Sequence, residues 1–262
     1  MNTDIAMTNI NQLLYTDESG EVVGLDEVQL IDPPLQDRIP KLRQLLQVQD
    51  LYIVFQSAIL LAAWGDLEGL AKIEEMIDEP VHKMQKLVPH RLYGYDNIYD
   101  ELSYAVYLFG FSGQKSEDTK RLFSKLLKLY GDIEFESKLK FSLLRCEFFD
   151  LASEVEEAIK RSLSLERYYL ASQMLPVLAK WNPEVAWSMV DKFICESNRQ
   201  TPNPLANVAE ALGYINNPSS RSLLKKLLEH PEVSVTEEAE RSLVKLSQTD
   251  FSNTATANSP NS

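Results

Sequence analysis

The segment LYIVFQSAILLAAWGDLEGLAKIEEMI at residues 51–77 decides the fold class of this chain. Its first half is almost continuously apolar up to Trp64, and its second half carries apolar residues three or four positions apart, as on one face of a helix. Gly65 and Asp66 stand between the two halves, where glycine ends one helix and aspartate begins the next. The segment therefore predicts a hairpin of two helices.

The same two-helix pattern recurs along the rest of the chain. Its predicted turns lie roughly 31 to 45 residues apart, at Gly65, Gly110, Asp150, Trp181 and Asn217. A closing helix is predicted over residues 235–246. Since the apolar residues recur at helical spacing throughout, we predict an all-α chain of about five helix pairs.

Several features together resemble HEAT-type (armadillo-like) repeats: paired apolar helices, short turns of Asp, Asn and Pro, and Pro176, which is expected to kink a first helix. The resemblance covers about two thirds to four fifths of the chain. It implies a right-handed α-α superhelix, that is, a HEAT-like solenoid. The Asp and Arg usual within each repeat are not regularly placed here. Uneven spacing also leaves an irregular helical bundle open as the alternative.

Three regions follow from this pattern. Residues 1–40 are predicted to form an acidic N-terminal arm or cap, in which 21–25 is an extended piece or a short strand paired with 13–15. Residues 41–248 form the helical-repeat domain. Residues 249–262 are nearly all Ser, Thr, Asn and Ala and bury little apolar area, so we predict a disordered C-terminal tail.

The charge balance restricts the kind of partner. The chain has 39 Asp and Glu against 26 Lys and Arg, a net charge of −13, whereas nucleic-acid binding needs clustered basic residues. The sequence has no apolar run of the ~18 residues that span a membrane and no basic leader, so we expect a cytoplasmic protein without membrane contact. An acidic surface favours a basic protein partner, although solubility alone also explains the charge.

Motifs for catalysis or metal binding do not emerge from the spacing of reactive residues. Cys146 and Cys195 stand alone in apolar helical patterns and are predicted to be reduced, buried thiols. His82 and His90 lie eight positions apart around Pro89, unlike metal ligands on a helix, which are three or four apart. No glycine-rich phosphate loop or nucleophile elbow occurs. We therefore expect no enzymatic activity, cofactor or metal.

A tyrosine-rich stretch at residues 90–107 is the first candidate contact region. Tyrosine suits an interface because it buries a large area and keeps a hydrogen bond. The predicted partner-binding residues of this stretch are Tyr93, Tyr95, Asp96 and Asp100. Tyr104 and Tyr107 continue an apolar helix face and are predicted to lie in the core. The alternative is that the tyrosines fill the gap between two repeats.

A second candidate contact region is the acidic cluster of Glu154, Glu156 and Glu157, on the second helix of the third pair. In a HEAT-like solenoid the second helices line the concave surface, so the resemblance implies an acidic groove there. Asp191, on the second helix of the fourth pair, belongs to the same predicted partner-binding set. The alternative is a solvated helix face.

These features predict a non-catalytic protein-binding module. Its sharpest form is an immunity protein that neutralises a basic toxin by direct binding. That form rests on analogy, since such proteins are small, often acidic, and in some cases look like HEAT repeats. Two alternatives stay open: a HEAT-like enzyme similar to bilin lyases or DNA glycosylases, and an assembly adaptor or chaperone for a larger complex.

Overall fold

The computed structural model of this protein describes most of the chain, namely residues 7–79, 81–89, 94–112, 116–196 and 202–257. Within these ranges the protein is all-helical, and β structure is limited to isolated bridges, so the predicted all-α class is confirmed. The α-helices are α1 (Met7–Tyr15), α2 (Leu25–Gln29), α3 (Ile39–Leu45), α4 (Leu51–Ala63), α5 (Leu67–Asp78), α6 (Ile98–Phe109), α7 (Ser116–Leu129), α8 (Lys138–Arg145), α9 (Ala152–Ser164), α10 (Tyr168–Trp181), α11 (Pro183–Glu196), α12 (Leu205–Leu212), α13 (Pro218–Leu227) and α14 (Val233–Ala257).

The chain divides into two compact units. Unit 1 comprises Met1–Leu126 and Glu134–Ser142, and unit 2 comprises Leu127–Ile133 and Leu143–Ser262. This division falls inside the stretch 41–248 that the sequence assigns to one repeat domain. The N-terminal residues 1–40 belong to the same unit as the helix hairpin that follows them.

The helix hairpin predicted at residues 51–77 is formed by α4 and α5. Asp50 begins α4 and Asp66 begins α5, each by accepting hydrogen bonds from two backbone N–H groups of the first helical turn. Between the helices Gly65 has a φ of +78°, a backbone conformation that glycine adopts without strain. Local sequence therefore sets both the start of each helix and the turn that joins them.

Helix α4 is the centre of unit 1. Its residues 54–62 are all buried, and α1, α2, α3, α5 and α6 pack around it, which explains its almost continuous apolar sequence. The contact with α5 is close. A Cβ atom added at Gly69 would lie only 2.4 Å from the Cβ of Leu61, so the two helices meet at a distance that requires glycine.

The N-terminal segment packs on α4 through α1 and α2. Leu14 of α1 and Val28 of α2 are buried. Arg38 donates hydrogen bonds from Nη1 to the carbonyl oxygen of Thr16, at 2.6 Å, and from Nη2 to that of Asp17, at 2.8 Å. Apolar burial and one arginine thus hold the segment in unit 1.

Residues 21–24 form an extended piece, one of the two forms that the sequence predicts for this stretch. An isolated bridge joins Thr16 to Val22. The other form, with a strand at 13–15, is wrong because these residues complete α1 and bury Leu14.

Helix α10 has the same central place in unit 2. Its residues 170–179 are all buried, and α9, α11 and α12 pack on it. The helix continues across Pro176 to Trp181, although proline supplies no backbone donor. In the turn before the proline, the Ser172 hydroxyl accepts a hydrogen bond from the Asn207 side chain of α12 at 2.9 Å. Buried polar groups near the proline are thus paired between helices.

The C-terminal helix extends farther than the composition predicts. Helix α14 runs to Ala257, nine residues into the segment 249–262 predicted as a disordered tail, while 258–262 fall outside the described residues. Ser, Thr and Asn are weak helix formers, but adding residues to an existing helix costs far less than starting one. The buried side chains of Val235 and Leu246 anchor the part of α14 from which this extension continues.

Candidate protein-binding surface

Four aromatic side chains of unit 1 lie together at the surface, and we call them the aromatic surface: Tyr104 and Tyr107 of α6, Phe111 in the turn after α6, and Phe141 of α8. The ring centroid of Tyr107 lies 4.8 Å from that of Phe111 and 5.7 Å from that of Phe141. The centroids of Tyr104 and Phe141 are 6.1 Å apart. All three contacts are edge-to-face, a favourable geometry for aromatic pairs. Phe111 is 70% exposed and Phe141 is 36% exposed.

The two tyrosines of this surface lie at the edge of helix α6. They are three positions apart and therefore share one face of the helix, and each is half-exposed. The buried face of α6 carries Leu102, Val106 and Phe109, which are fully enclosed. The prediction that Tyr104 and Tyr107 belong to the core is thus corrected, because the buried face of α6 is already supplied by these other residues.

A polar rim borders the aromatic surface at Tyr104. The Lys138 ammonium lies 5.5 Å from the centroid of the Tyr104 ring, within the range of a cation–π contact. Lys138 also pairs with both carboxylate oxygens of Glu101, at 2.5 Å each. An apolar centre beside a charged rim is the usual anatomy of a protein interface.

A cavity of about 450 Å³ in unit 1 adjoins the aromatic surface through Phe111, and we call it the Phe111 cavity. Its walls include Trp64, which is buried, and Leu30, which is largely exposed. The carboxylate-bearing Asp32 is also part of its lining and is exposed. The volume lies at the lower end of the range for ligand pockets in proteins, roughly 300–1,000 Å³.

The Phe111 cavity also contains a polar group without a partner. Gln29 lines the cavity, is only 4% exposed, and its buried amide Nε2 has no hydrogen-bond partner among the described residues. The neighbouring Trp64 Nε1, by contrast, donates to the carbonyl oxygen of Val28 at 3.2 Å. Leaving a buried donor unpaired costs about 1–3 kcal/mol. A bound acceptor at Gln29 would remove that cost.

The predicted contact residues of the tyrosine-rich stretch that the structure describes differ in their exposure. Tyr93 lies outside the described residues, and Tyr95 is half-exposed. Asp96 and Asp100 are both buried. The structure therefore argues against a direct partner contact by these two aspartates, whose carboxylates bind the protein's own backbone.

Asp96 organises the loop that precedes α6. Its carboxylate accepts hydrogen bonds from the backbone N–H of Leu87 at 2.9 Å, of Val88 at 2.8 Å and of Ile98 at 3.2 Å. Three donors from two sides of the loop meet on one side chain. Asp96 therefore fixes the path of the chain into α6.

Asp100 links α6 to the start of α8. Its carboxylate accepts hydrogen bonds from the N–H of Lys138 at 3.1 Å and of Leu139 at 3.0 Å. Burial raises the pKa of Asp100 to about 6, while the two N–H donors act in the opposite direction. Asp100 is 2% exposed, and its hydrogen bonds position the helix that carries Phe141.

The predicted acidic cluster on α9 of unit 2 is partly neutralised by its own helix. Lys160 pairs with Glu156 at 2.9 Å and with Glu157 at 2.8 Å. The hydrogen bond from Lys160 lowers the pKa of Glu157, and the two glutamates raise the pKa of Lys160. The electrostatic attraction of this face for a basic partner is reduced accordingly.

Glu154 and Glu157 line another cavity, of about 240 Å³, in unit 2. Lys128 and Arg161 line the same cavity, so charges of both signs share its walls. Arg161 Nη1 also donates to backbone carbonyl oxygens at and just beyond the end of α7, including that of Tyr130 at 2.8 Å. Arg161 therefore satisfies helix-end carbonyls that lack partners within the helix.

The remaining predicted residues of unit 2 lie apart from this cluster in the chain. Asp191 is exposed on α11, and α10 packs against both α9 and α11. The prediction of two buried thiols is wrong for Cys195, which is exposed because it stands about 200° around α11 from the buried Phe193. It holds only in part for Cys146, which is half-buried. Burial raises the pKa of the Cys146 thiol to about 11, which keeps it protonated at neutral pH.

Unit 2 also holds a lysine with an unusual environment. The Nζ atom of Lys245 lies 2.8 Å from the centroid of the Tyr214 ring, and burial lowers the pKa of Lys245 to about 8. A lowered pKa is one requirement of a nucleophilic lysine, but a positioned substrate and an acid–base partner are needed as well. Among the described residues, no group of three or more His, Cys, Asp and Glu is arranged to hold a metal ion.

Sequence reasoning missed the residues that build the exposed site, above all Phe111, Phe141 and Gln29. Phe111 stands in a predicted turn, and a large aromatic residue in a turn is a signal that was available. Phe141 stands two positions from both Leu139 and Leu143, which are buried, and therefore about 200° around α8 from them, so its helical spacing was a second available signal. The burial of Gln29 depends on packing between distant segments, and no local pattern reveals it.

Comparisons with known proteins give little further information. No family model matches the sequence, and a search of curated proteins finds no match. The crystal structure of an engineered protein is similar at 21% identity and a TM-score of 0.38, over 80% of this chain and 98% of that chain. A similarity at this level supports no statement about fold or function. Within the described ranges, no helix is long and apolar enough to cross a membrane.

Proposed function

We propose that this chain is a non-catalytic protein-binding module built from HEAT-type helical repeats, arranged as a solenoid of helix pairs. The observation that carries the proposal is the aromatic surface of unit 1. Tyrosine and phenylalanine rings in mutual contact, with Phe111 mostly exposed, are typical of the anchor residues that dominate binding energy at interfaces. Isolated exposed apolar residues are common, whereas a contiguous exposed cluster marks an interaction site.

The charge distribution supports a basic partner for this surface. Asp and Glu exceed Lys and Arg by nine in unit 1 and by four in unit 2. The larger acidic excess thus belongs to the unit that carries the aromatic surface. Opposite net charges raise the rate of encounter and make that rate depend on ionic strength.

The sharpest form of the proposal is an immunity protein in the cytoplasm that binds a basic toxin and blocks it. The support for this form is the acidic composition, the small size and the resemblance to HEAT repeats. An assembly adaptor would use the same surface. The two roles differ in the partner, which is one basic protein in the first case and a subunit of a larger complex in the second.

The experiment is an affinity capture of the tagged chain from the lysate of its native cell, at low and high salt, with identification by mass spectrometry. Three baits are compared: the unchanged chain, the double variant Phe111→Ser/Phe141→Ser, and the control Phe149→Ser. Phe149 is 52% exposed and belongs to unit 2, so its replacement removes a similar exposed ring from the other unit.

We expect one stoichiometric basic protein to be captured by the unchanged chain and by the Phe149 control, less of it at high salt, and none by the double variant. Circular dichroism of all three baits checks that each is folded. Capture of the same protein by the double variant would exclude the aromatic surface as the contact. A retained pigment or other small molecule, with no protein, would favour the enzyme alternative.

A further inference from the structure

The Phe111 cavity has the composition of a pocket for one side chain of a peptide. We propose that it accepts an arginine of an extended segment of the partner protein, and that an apolar residue two positions along this segment packs on the aromatic surface. This inference rests on the proposed function and deepens it by naming what the partner presents. It extends the contact from the aromatic surface into the adjoining cavity.

The lining of the cavity is complementary to a ligand that carries both a hydrogen-bond donor and a hydrogen-bond acceptor. Among the described residues the buried Nε2 of Gln29 has no acceptor, and a peptide carbonyl oxygen would supply one. Asp32, exposed at the same cavity, is an acceptor that favours a cation. A peptide that presents a backbone carbonyl beside a basic side chain supplies both the acceptor for Gln29 and the cation for Asp32.

Arginine fits this lining better than lysine does. Its guanidinium is planar, stacks on aromatic rings and pairs with a carboxylate through two hydrogen bonds, whereas the lysine ammonium is a point charge that keeps its water. Phe111 offers a ring at the cavity and Asp32 offers the carboxylate. The exposed Leu30 covers the aliphatic stem of the side chain.

The distance between the Phe111 cavity and the other rings of the aromatic surface determines the position of the second contact residue in the bound peptide. The centroid of the Tyr107 ring lies 4.8 Å from that of Phe111 and 5.7 Å from that of Phe141. In an extended peptide, side chains on the same face are two positions apart, about 7 Å. An apolar residue two positions from the arginine therefore falls on Tyr107 and Phe141.

The probe is the peptide acetyl-Gly-Arg-Gly-Leu-Gly-Gly-amide, and the matched probe has citrulline, the neutral analogue of arginine, in place of arginine. Binding is followed by the indole N–H resonance of Trp64 in the full chain. Trp64 lines the cavity, and it is the tryptophan of unit 1, while Trp181 and Trp187 belong to unit 2 and serve as internal references.

We expect a saturable shift of the Trp64 resonance with the arginine peptide and at least tenfold weaker binding of the citrulline peptide. The variant Asp32→Asn should reduce this preference to below twofold. The control Asp37→Asn removes another exposed aspartate five positions along the chain and should keep the preference. Replacing the leucine of the peptide by glycine should weaken binding several-fold.

Equal binding of the two peptides, no saturable shift, or an arginine preference that survives Asp32→Asn would each overturn the inference. These outcomes are distinct from a failure of the proposed function. Capture of the partner could still require Phe111 and Phe141 while the arginine peptide does not bind. That result would support the protein-binding function and exclude the arginine pocket.

Discussion

The two units of this protein are built in the same way but present different surfaces. Each has one almost fully buried helix at its centre, α4 in unit 1 and α10 in unit 2, with other helices packed around it. Unit 1 adds contacting exposed aromatic rings, an adjoining cavity and the larger acidic excess. In unit 2 the acidic cluster of α9 is paired with its own lysine.

Acidic side chains have different roles in the two units, although both units are rich in them. Acidic side chains are abundant in both, yet many are engaged within the fold, as with Asp96 and Asp100 in unit 1 and Glu157 in unit 2. Unit 1 is distinguished by exposed aromatic rings that contact one another. The acidic cluster of α9 by itself would place the binding region in unit 2, whereas the exposed rings place it at the turn after α6.

The largest effect is expected from separating core and surface rings within unit 1. Phe109 is fully buried and Phe111 is mostly exposed, although they stand two positions apart. Phe109→Ala should lower the free energy of unfolding by about 3–5 kcal/mol, since it leaves a cavity in the core. Phe111→Ala should lower it by no more than ~0.5 kcal/mol. Urea unfolding followed by circular dichroism measures both, and similar losses would place Phe111 in the core.

The next effect concerns Asp100 and depends on pH. Its pKa is raised to about 6 in the folded chain from the ordinary value of 3.8, so its contribution to stability is greatest below pH ~4 and declines as pH rises through ~6. Asp100→Asn cannot titrate. The stability of the variant relative to the unchanged chain should therefore rise between pH 4 and pH 7, by up to about 3 kcal/mol.

Urea unfolding of both proteins across this pH range measures that difference. The comparison at each pH cancels the other titrating groups, and the loss of one hydrogen-bond acceptor in the asparagine variant changes the offset but not the slope. A difference that is constant with pH would contradict a raised pKa at Asp100.

A smaller effect is expected at the helix end held by Arg161 in unit 2. Arg161→Met keeps the length of the side chain but leaves the carbonyl oxygens of Leu127, Lys128 and Tyr130 without this donor. We expect a loss of about 1–2 kcal/mol in the free energy of unfolding. The control Arg241→Met removes an exposed arginine that pairs with Glu238 on its own helix, and should cost no more than ~0.5 kcal/mol. Equal losses would mean that the carbonyl contacts add nothing.

The smallest effect is expected from the acidic cluster of α9. The triple variant Glu154→Gln/Glu156→Gln/Glu157→Gln should leave the urea midpoint unchanged, because these side chains lie at the surface of the helix. It should also leave capture of the partner largely intact if unit 1 provides the contact. Loss of the partner in this variant, with the fold retained, would move the binding region to unit 2.

Much of the helix pattern was predictable because local sequence fixes it. The turns predicted at Gly65, Gly110, Asp150, Trp181 and Asn217 all lie within two residues of an end of an observed helix. Helix α10 also runs through Pro176, where the sequence predicts a kink within a helix and not its end. Packing from other helices supplies what the local signal lacks there.

The site was less predictable, because exposure is decided by the packing of distant segments. Phe109 and Phe111 look alike in the sequence, and only the position of neighbouring helices distinguishes them. Asp96 and Asp100 look like surface residues beside tyrosines, yet backbone N–H groups as far as 39 positions away bind one of them. The charges of Glu156 and Glu157 can be read from the sequence. Their shared pairing with Lys160 can be predicted only once the register of the helix is known.

The packing of α1 and α2 on α4 has a consequence for the way this chain is made. A polypeptide leaves the ribosome from its N-terminus, so Leu14 and Val28 are synthesised before the helix that covers them. Until α4 has emerged, these residues face water on the nascent chain, where exposed apolar segments are prone to aggregate. The N-terminal segment therefore cannot bury these residues until the hairpin of residues 51–77 has been synthesised. Its folding during translation depends on the sequence that follows it.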